Sequence, residues 1–219
     1  MSGTSARTTF PWQETRTRLE TLAARHALHL ADDRKALLAL DESGVVVARL
    51  IPPLLFPITA DHATAADYLA ALPADPGRHA VLLLRAGAAA LGVWQDDTLE
   101  HHKVIKKYVV RGHGKAQTTW LKTRGKSRYG SRLRLQNARS LLQDVSERLA
   151  DWRGLDQGFA QLLYQCAERQ WAEFLRTEPP PPLADLRLTW LPLSTHEPGF
   201  EELLRVRRIA GRGALEETP

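Results

Sequence analysis

The sequence predicts an α/β (α+β) fold, a mixed β-sheet flanked by helices. Three observations carry this expectation. A hairpin-rich first part is followed by strands and helices in alternation, the order that builds a mixed sheet. At 219 residues and 43% hydrophobic, the chain can bury one substantial core or two small ones. A single cysteine, Cys166, excludes a disulfide framework and a Cys-based zinc cluster, so the fold must rest on apolar burial, and it suits a reducing compartment.

Taken in order, residues 1–10 are Ser/Thr-rich without the apolar centre of a signal peptide, and read as a disordered lead. Residues 11–75 read as a helix, a hairpin and a second helix packed on the core. Trp12, Leu19, Leu22, Ala23 and Leu30 have helical spacing and predict a helix over 12–30. Two β-rich runs, 35–40 and 45–51, flank the turn cluster Asp41-Glu42-Ser43-Gly44 and predict the hairpin. Prolines 52, 53 and 57 end it, and Asp61 is placed to cap a short helix to Leu72.

Residues 76–210 carry the main domain. The apolar run 79–85 predicts a central strand, the Ala86-Gly87 turn leads to a second over 88–94, and a turn at 95–97 leads to a third over 98–110. That third strand is amphipathic, with Val104, Tyr108 and Val110 on one face and Lys103 and Lys107 on the other. Residues 111–130 have four glycines and no apolar period, which predicts a long mobile loop. A strong helix follows from Ser131 to about Trp152, its buried stripe marked by Leu135, Ala138, Leu142, Val145 and Leu149. Strand 159–166, helix 169–176, the proline connector 179–182, strand 186–191 and helix 199–208 complete the domain, and 211–219 reads as a flexible tail. The longest apolar stretches are broken by Arg49, Pro52, Pro53 and Arg85, so neither spans a bilayer. A soluble, cytoplasmic monomer without a membrane partner is expected.

The net charge of +5 conceals a segregation. From His101 to Gln143 there is no Asp or Glu, yet the stretch holds 12 of the 30 Lys and Arg, so the charge splits into +12 here and −7 elsewhere. Those cations are Lys103, Lys106, Lys107, Arg111, Lys115, Lys122, Arg124, Lys126, Arg128, Arg132, Arg134 and Arg139. A localised field of this kind suits a polyanion, of which nucleic acid is the commonest. From charge and glycine alone, a non-catalytic RNA-binding face stands ahead of a catalytic one.

The segment Gly114-Lys-Ala-Gln117, then Gly125-Lys126-Ser127, Gly130-Ser131, Leu133-Arg134 and Asn137, resembles the catalytic loop of the VLRF-type (Vms-like release factor) domains. These are relatives of the central domain of eukaryotic and archaeal class I release factors. The strand–glycine turn–strand run Val81 to Trp94 is similar to the one preceding the glutamine loop in release factors. The resemblance is strong over 104–140 and loose over the rest of 78–210. It departs from the classical release-factor element at Ala116, where that element has glycine, a change that VLRF-type domains tolerate.

What the resemblance implies is a release-factor central-domain-like fold and a peptidyl-tRNA hydrolase. Gln117 would be its catalytic residue and Gly114 the backbone element beside it. Without a stop-codon-reading domain, release of the nascent peptide would be codon-independent, on stalled or split large ribosomal subunits. The partners would be the large subunit at its peptidyl-transferase centre and peptidyl-tRNA, with no DNA, no cofactor and no metal. Lys106, Lys107, Arg111, His113, Lys115, Trp120, Lys122, Arg124, Lys126, Arg128, Arg132, Arg134 and Arg139 would contact RNA. The residue types suit the chemistry. Glycine lets the main chain approach RNA closely, and a glutamine amide both donates and accepts, so it can orient a water without titrating.

Other readings stay open. His113, between two glycines, could be the acid or base of a nuclease cutting the tRNA acceptor end, although no second titrating partner lies in the block. His101-His102 would point to opposite faces of a strand and so could not jointly bind a metal. Cys166 reads as core rather than nucleophile, and Trp12, Trp94, Trp152, Trp171 and Trp190 as packing residues.

Overall fold

The computed structural model describes residues 6–107, 126–155 and 158–218, with the side chains of 126–131 outside the description. It is a mixed α+β structure that divides into two compact units, Met1–Pro76 with Arg205–Pro219, and Gly77–Leu204.

The first unit is built on an antiparallel sheet of β1 (Ala6–Pro11), β2 (Ala27–Leu30), β3 (Leu37–Leu40), β4 (Val46–Ile51) and β10 (Arg212–Glu217), ordered β1-β10-β4-β3-β2. Both chain ends differ from the sequence reading. Residues 6–11, expected to lie in a disordered lead, pair with 212–217, expected to be a flexible tail, in register from Ala6↔Glu217 to Pro11↔Arg212. Phe10 explains the difference. Its ring is 1% exposed and lies so close over Gly213 that a Cβ there would sit 2.4 Å from it. Burying one aromatic and closing the edge of β10 outweighs the polar composition around it.

The expected helix over 12–30 is shorter. A 3-10 turn (Trp12–Glu14) leads into α1 (Thr15–Ala23), and 27–30 form an edge strand paired with β3, Ala27 opposite Leu40. Ala and Leu favour a helix locally, but pairing with a neighbouring strand overrides that preference. The hairpin β3–β4 stands where the turn cluster placed it, with Asp41 Oδ1 accepting from the Ser43 and Val45 amides at 2.9 Å. The hydrogen bond from the Ser43 hydroxyl, with these amide bonds, holds the Asp41 carboxyl below its ordinary range. Helix α2 (Ala65–Ala71) is capped by Thr64 rather than Asp61, in a reciprocal capping box with Asp67.

The second unit is a mixed sheet of β5 (Arg78–Arg85), β6 (Ala88–Gln95), β7 (Thr98–Lys106), β8 (Gln161–Gln165) and β9 (Arg187–Trp190), ordered β7-β6-β5-β8-β9. Only β6 is antiparallel to its neighbours, so β7, β5, β8 and β9 run the same way and end at one edge. Residues 79–84 of β5 are all buried, as a central strand covered on both faces requires.

Helix α3 (Lys126–Gly154) lies on β6 and β7, burying Leu141, Leu142, Val145, Leu149 and Trp152 among Leu82, Leu84, Ala89, Leu91 and Val93. Its direction follows from two contacts. His101 stacks on Trp152 at 5.9 Å, while Lys107 reaches Asp144, so the helix runs antiparallel to β7. Its N-terminal part therefore projects past the sheet edge. From Asp144 back to Arg132 is a distance of about 18 Å along a helix. This corrects the expected stripe: Leu135 is 56% exposed, because no sheet lies beneath it. Helix α4 (Glu168–Phe174) is pinned to β8 by Trp171, whose ring stacks on Tyr164 at 3.9 Å. Trp190, expected to pack, is 55% exposed on the edge strand β9.

Phe10→Ala should lower unfolding free energy by about 3–5 kcal/mol, the cost of truncating a buried aromatic. Urea denaturation monitored by circular dichroism measures it. A change below about 0.5 kcal/mol would mean the N-terminal segment is not part of the folded sheet.

Candidate nucleic-acid interface

In open mixed sheets, ligands gather where parallel strands end. That edge here is formed by the ends of β7, β5, β8 and β9, by the β5–β6 turn and by the segment after β9. The turn is tight because Gly87 adopts φ +85°, and its carbonyl accepts from the Lys107 amide at 2.8 Å. The segment after β9 is tied down by several elements. The Leu191 amide donates to the Tyr164 carbonyl at 2.8 Å, the Thr195 hydroxyl to Gln165 Oε1 at 2.8 Å, and the His196 amide to Glu202 Oε1 at 2.7 Å. The Arg85 guanidinium donates to the Thr195 carbonyl. The edge is thus a fixed rim.

Two of the expected RNA contacts stand on this rim with carboxylate partners. Lys106 Nζ lies 2.7 Å from Glu197 Oε1, and Lys107 Nζ lies 2.8 Å from Asp144 Oδ2. The hydrogen bond and charge of Lys106 hold the Glu197 carboxyl below its usual range. Solvent-accessible pairs of this kind contribute little to stability and open readily to a better anion. Sequence reasoning missed both partners, because each lies beyond the acid-free block.

Arg132 and Arg134 border a cleft of about 630 Å³ together with Arg85, Arg169 and the apolar side chains Leu135, Leu141 and Leu142. Arg139 borders a second, neighbouring depression. Arg85 and Arg169 were missed in the sequence. A cation ending a buried central strand is the signal that could have found Arg85, and nothing local marks Arg169.

Gly114, Gln117, Arg111, His113, Lys115, Trp120, Lys122 and Arg124 lie outside the described residues, as do the side chains of Lys126 and Arg128. The segment that bears them leaves the carboxyl edge after Lys107 and rejoins the fold at the overhanging end of α3.

The histidine pair is split as the strand geometry requires, His101 facing Trp152 and His102 packing on Phe200 at 4.4 Å. Cys166 is buried just after β8, and burial pushes its thiol up to about 11. Among the described residues no helix is long and apolar enough to cross a membrane.

A basic glycine- and glutamine-bearing segment joins the carboxyl edge of this mixed sheet to an overhanging helix, and a family match puts the chain among release-factor-like proteins. Residues 79–213 match the family model described as "Bacteroidetes VLRF1 release factor", more than half of the chain, and the chain belongs to that family. A solved structure titled "Vms1 mitochondrial localization core" aligns over 94% of this chain and 85% of that one, at 13% identity and a TM-score of 0.45. No curated protein matches the chain.

Two outcomes are expected from the site. Removing the carboxylates in Asp144→Asn/Glu197→Gln should raise affinity for RNA several-fold at low salt, with the gain shrinking as salt rises. Unchanged or weaker binding in a filter assay would mean that Lys106 and Lys107 do not meet the ligand. For Cys166, the raised folded value favours the neutral thiol. Its contribution to stability is therefore full below the ordinary value of 9.0 and is lost as pH rises through about 11. Alkylation at pH 8 should be slow until the protein is unfolded, and rapid labelling of the native protein would show the thiol to be accessible.

Proposed function

We propose that this protein releases nascent peptide from peptidyl-tRNA, independently of a codon, on stalled or split large ribosomal subunits, and that Gln117 assists hydrolysis of the ester. Family membership supports a ribosome-associated, release-factor-like role. The observation that carries the finer reading is topological. Gln117 is ten residues beyond Lys107 on the carboxyl edge and nine before Lys126 at the start of α3. Ten residues span at most about 35 Å, so chain length alone permits the amide to work well away from the rim that anchors it.

The division of labour follows. Cations on the rim and on α3 bind RNA phosphates, which positions the protein and carries no sequence information. Gly114 allows close backbone approach. The Gln117 amide orients a water toward the ester carbonyl, and catalysis is positioning together with electrostatic stabilisation of the developing oxyanion. An amide does not titrate near neutral pH, so its contribution is constant there.

Incubation with peptidyl-tRNA on isolated large subunits, followed by analysis of the RNA 3′ end, tests the reaction. Ester hydrolysis leaves an intact CCA end with a free hydroxyl, a nuclease leaves a shortened tRNA, and a binder leaves the substrate unchanged. Gln117→Ala should slow release by about 10²-fold or more, the scale of losing an important transition-state hydrogen bond. His113→Ala should have a modest effect. If His113→Ala abolishes activity and Gln117→Ala is tolerated, the chemistry is nucleolytic and the proposal fails.

A further inference from the structure

The cleft at the sheet edge does not end at Leu135. It is about 630 Å³, and a second depression of about 570 Å³ shares Leu135, Ala138, Leu142 and Glu173 with it. The two form one trough between the overhanging part of α3 and helix α4. Its sides carry six arginines: Arg85, Arg132, Arg134, Arg139, Arg169 and Arg176. Against them stand two carboxylates, Glu173 and Glu178. Glu173 accepts from Arg169 Nε at 3.1 Å. At the near end the Thr195 carbonyl fixes one side of the Arg85 guanidinium, and on the far wall the Trp171–Tyr164 stack holds the helix that bears Arg169.

We propose that this trough is a binding site for a single strand of RNA, with arginines on its backbone phosphates and an unstacked base laid on the Leu135–Ala138 strip. The inference rests on the release-factor-like reading only in taking RNA as the partner, and it adds Arg85, Arg169 and Arg176, which lie outside the acid-free block. Three features select this ligand. Guanidinium groups bind phosphate in a fixed fork geometry and also stack on base planes. Depressions of about 630 and 570 Å³ have the size of small-ligand pockets, room for the bases of one strand and not for a duplex. An amphipathic protein helix would need apolar anchors repeated over two turns, and Leu135 is the one large apolar side chain of this trough that is more than half exposed.

Fluorescence anisotropy of the full-length protein with a labelled oligoribonucleotide of about ten nucleotides, a length one such site accommodates, tests the proposal. Arg169→Glu/Arg176→Glu should weaken binding about tenfold or more at low salt, and Arg169→Gln/Arg176→Gln should weaken it less. Leu135→Ala should weaken binding of the base-bearing oligonucleotide several-fold and leave an abasic strand of equal length unaffected. Circular dichroism should show every variant folded, since these side chains are exposed and outside the core. Unchanged affinity in both arginine pairs overturns the proposal. So does equal competition by an acidic peptide of matched charge, which would make the trough a protein dock. An abasic strand that binds as tightly as the base-bearing one would also overturn it, by reducing the trough to a phosphate surface. Gln117→Ala should retain oligonucleotide affinity. If that variant also releases peptide normally, the hydrolase reading falls while the trough is still judged by anisotropy alone.

Discussion

The burial of Leu142, Val145, Leu149 and Trp152 against β6 and β7 is the constraint on which the second unit depends. Each such side chain removed from water contributes on the order of 1.5–3 kcal/mol, and together they leave the helix one register on the sheet. Register then dictates everything toward the N-terminus. With Trp152 against His101 and Asp144 against Lys107, the helix runs out past the strand ends while it still has several turns to go. A helix half as long would give the same core and no overhang. Along that overhang Arg132 and Leu135 stand exposed, where a ligand can reach them.

Charge is arranged around that geometry rather than spread over the surface. Among the described residues of the acid-free block, Lys106 and Lys107 stand at the carboxyl end of β7, and Arg132, Arg134 and Arg139 on α3. Carboxylates do reach the edge, from α3 at Asp144 and from the segment after β9 at Glu197. They engage Lys106 and Lys107 in pairs that water already screens. Pairs of this strength hold side chains in place without committing them, and a phosphate backbone that releases its counterions on binding competes with them easily. Rigidity comes instead from bonds to the backbone and between neutral side chains, those of Thr195, Gln165, His196, Leu191 and the β5–β6 turn.

What could be read in the sequence divides along the same physical lines. The central strands were legible because a fully buried strand is an unbroken apolar run, and β5 is one. Helix α3 was legible over its packed half, where spacing of three and four marks the buried face. The same periodicity misled at Leu135, since periodicity records which residues share a face and not whether anything covers it. The edge pairing of β1 with β10 was illegible for a different reason: the two strands are at opposite ends of the chain, and neither Thr8-Thr9-Phe10 nor Gly213-Ala214-Leu215 announces the other. Strand Ala27–Leu30 was hidden by residues that favour a helix on their own. At the site, clustered cations were visible as a count, whereas Arg85 and Arg169 join them only through strand order and the α3–α4 contact.

Helix α3 therefore has two parts under different selection by physics. C-terminal to about Ala138, side-chain volume is fixed by a close-packed core, and a lost methylene leaves a cavity. N-terminal to it, Arg132 and Leu135 are exposed, so substitution at either acts on binding while stability is little changed. The two parts remain mechanically one body because the backbone ladder of a helix is continuous through the boundary. A contact made by Arg132 is consequently held at a set distance from the strand ends, without any tertiary packing beneath it. This is how a chain that belongs to a release-factor family can place cations well beyond its own core and still present them in a defined geometry.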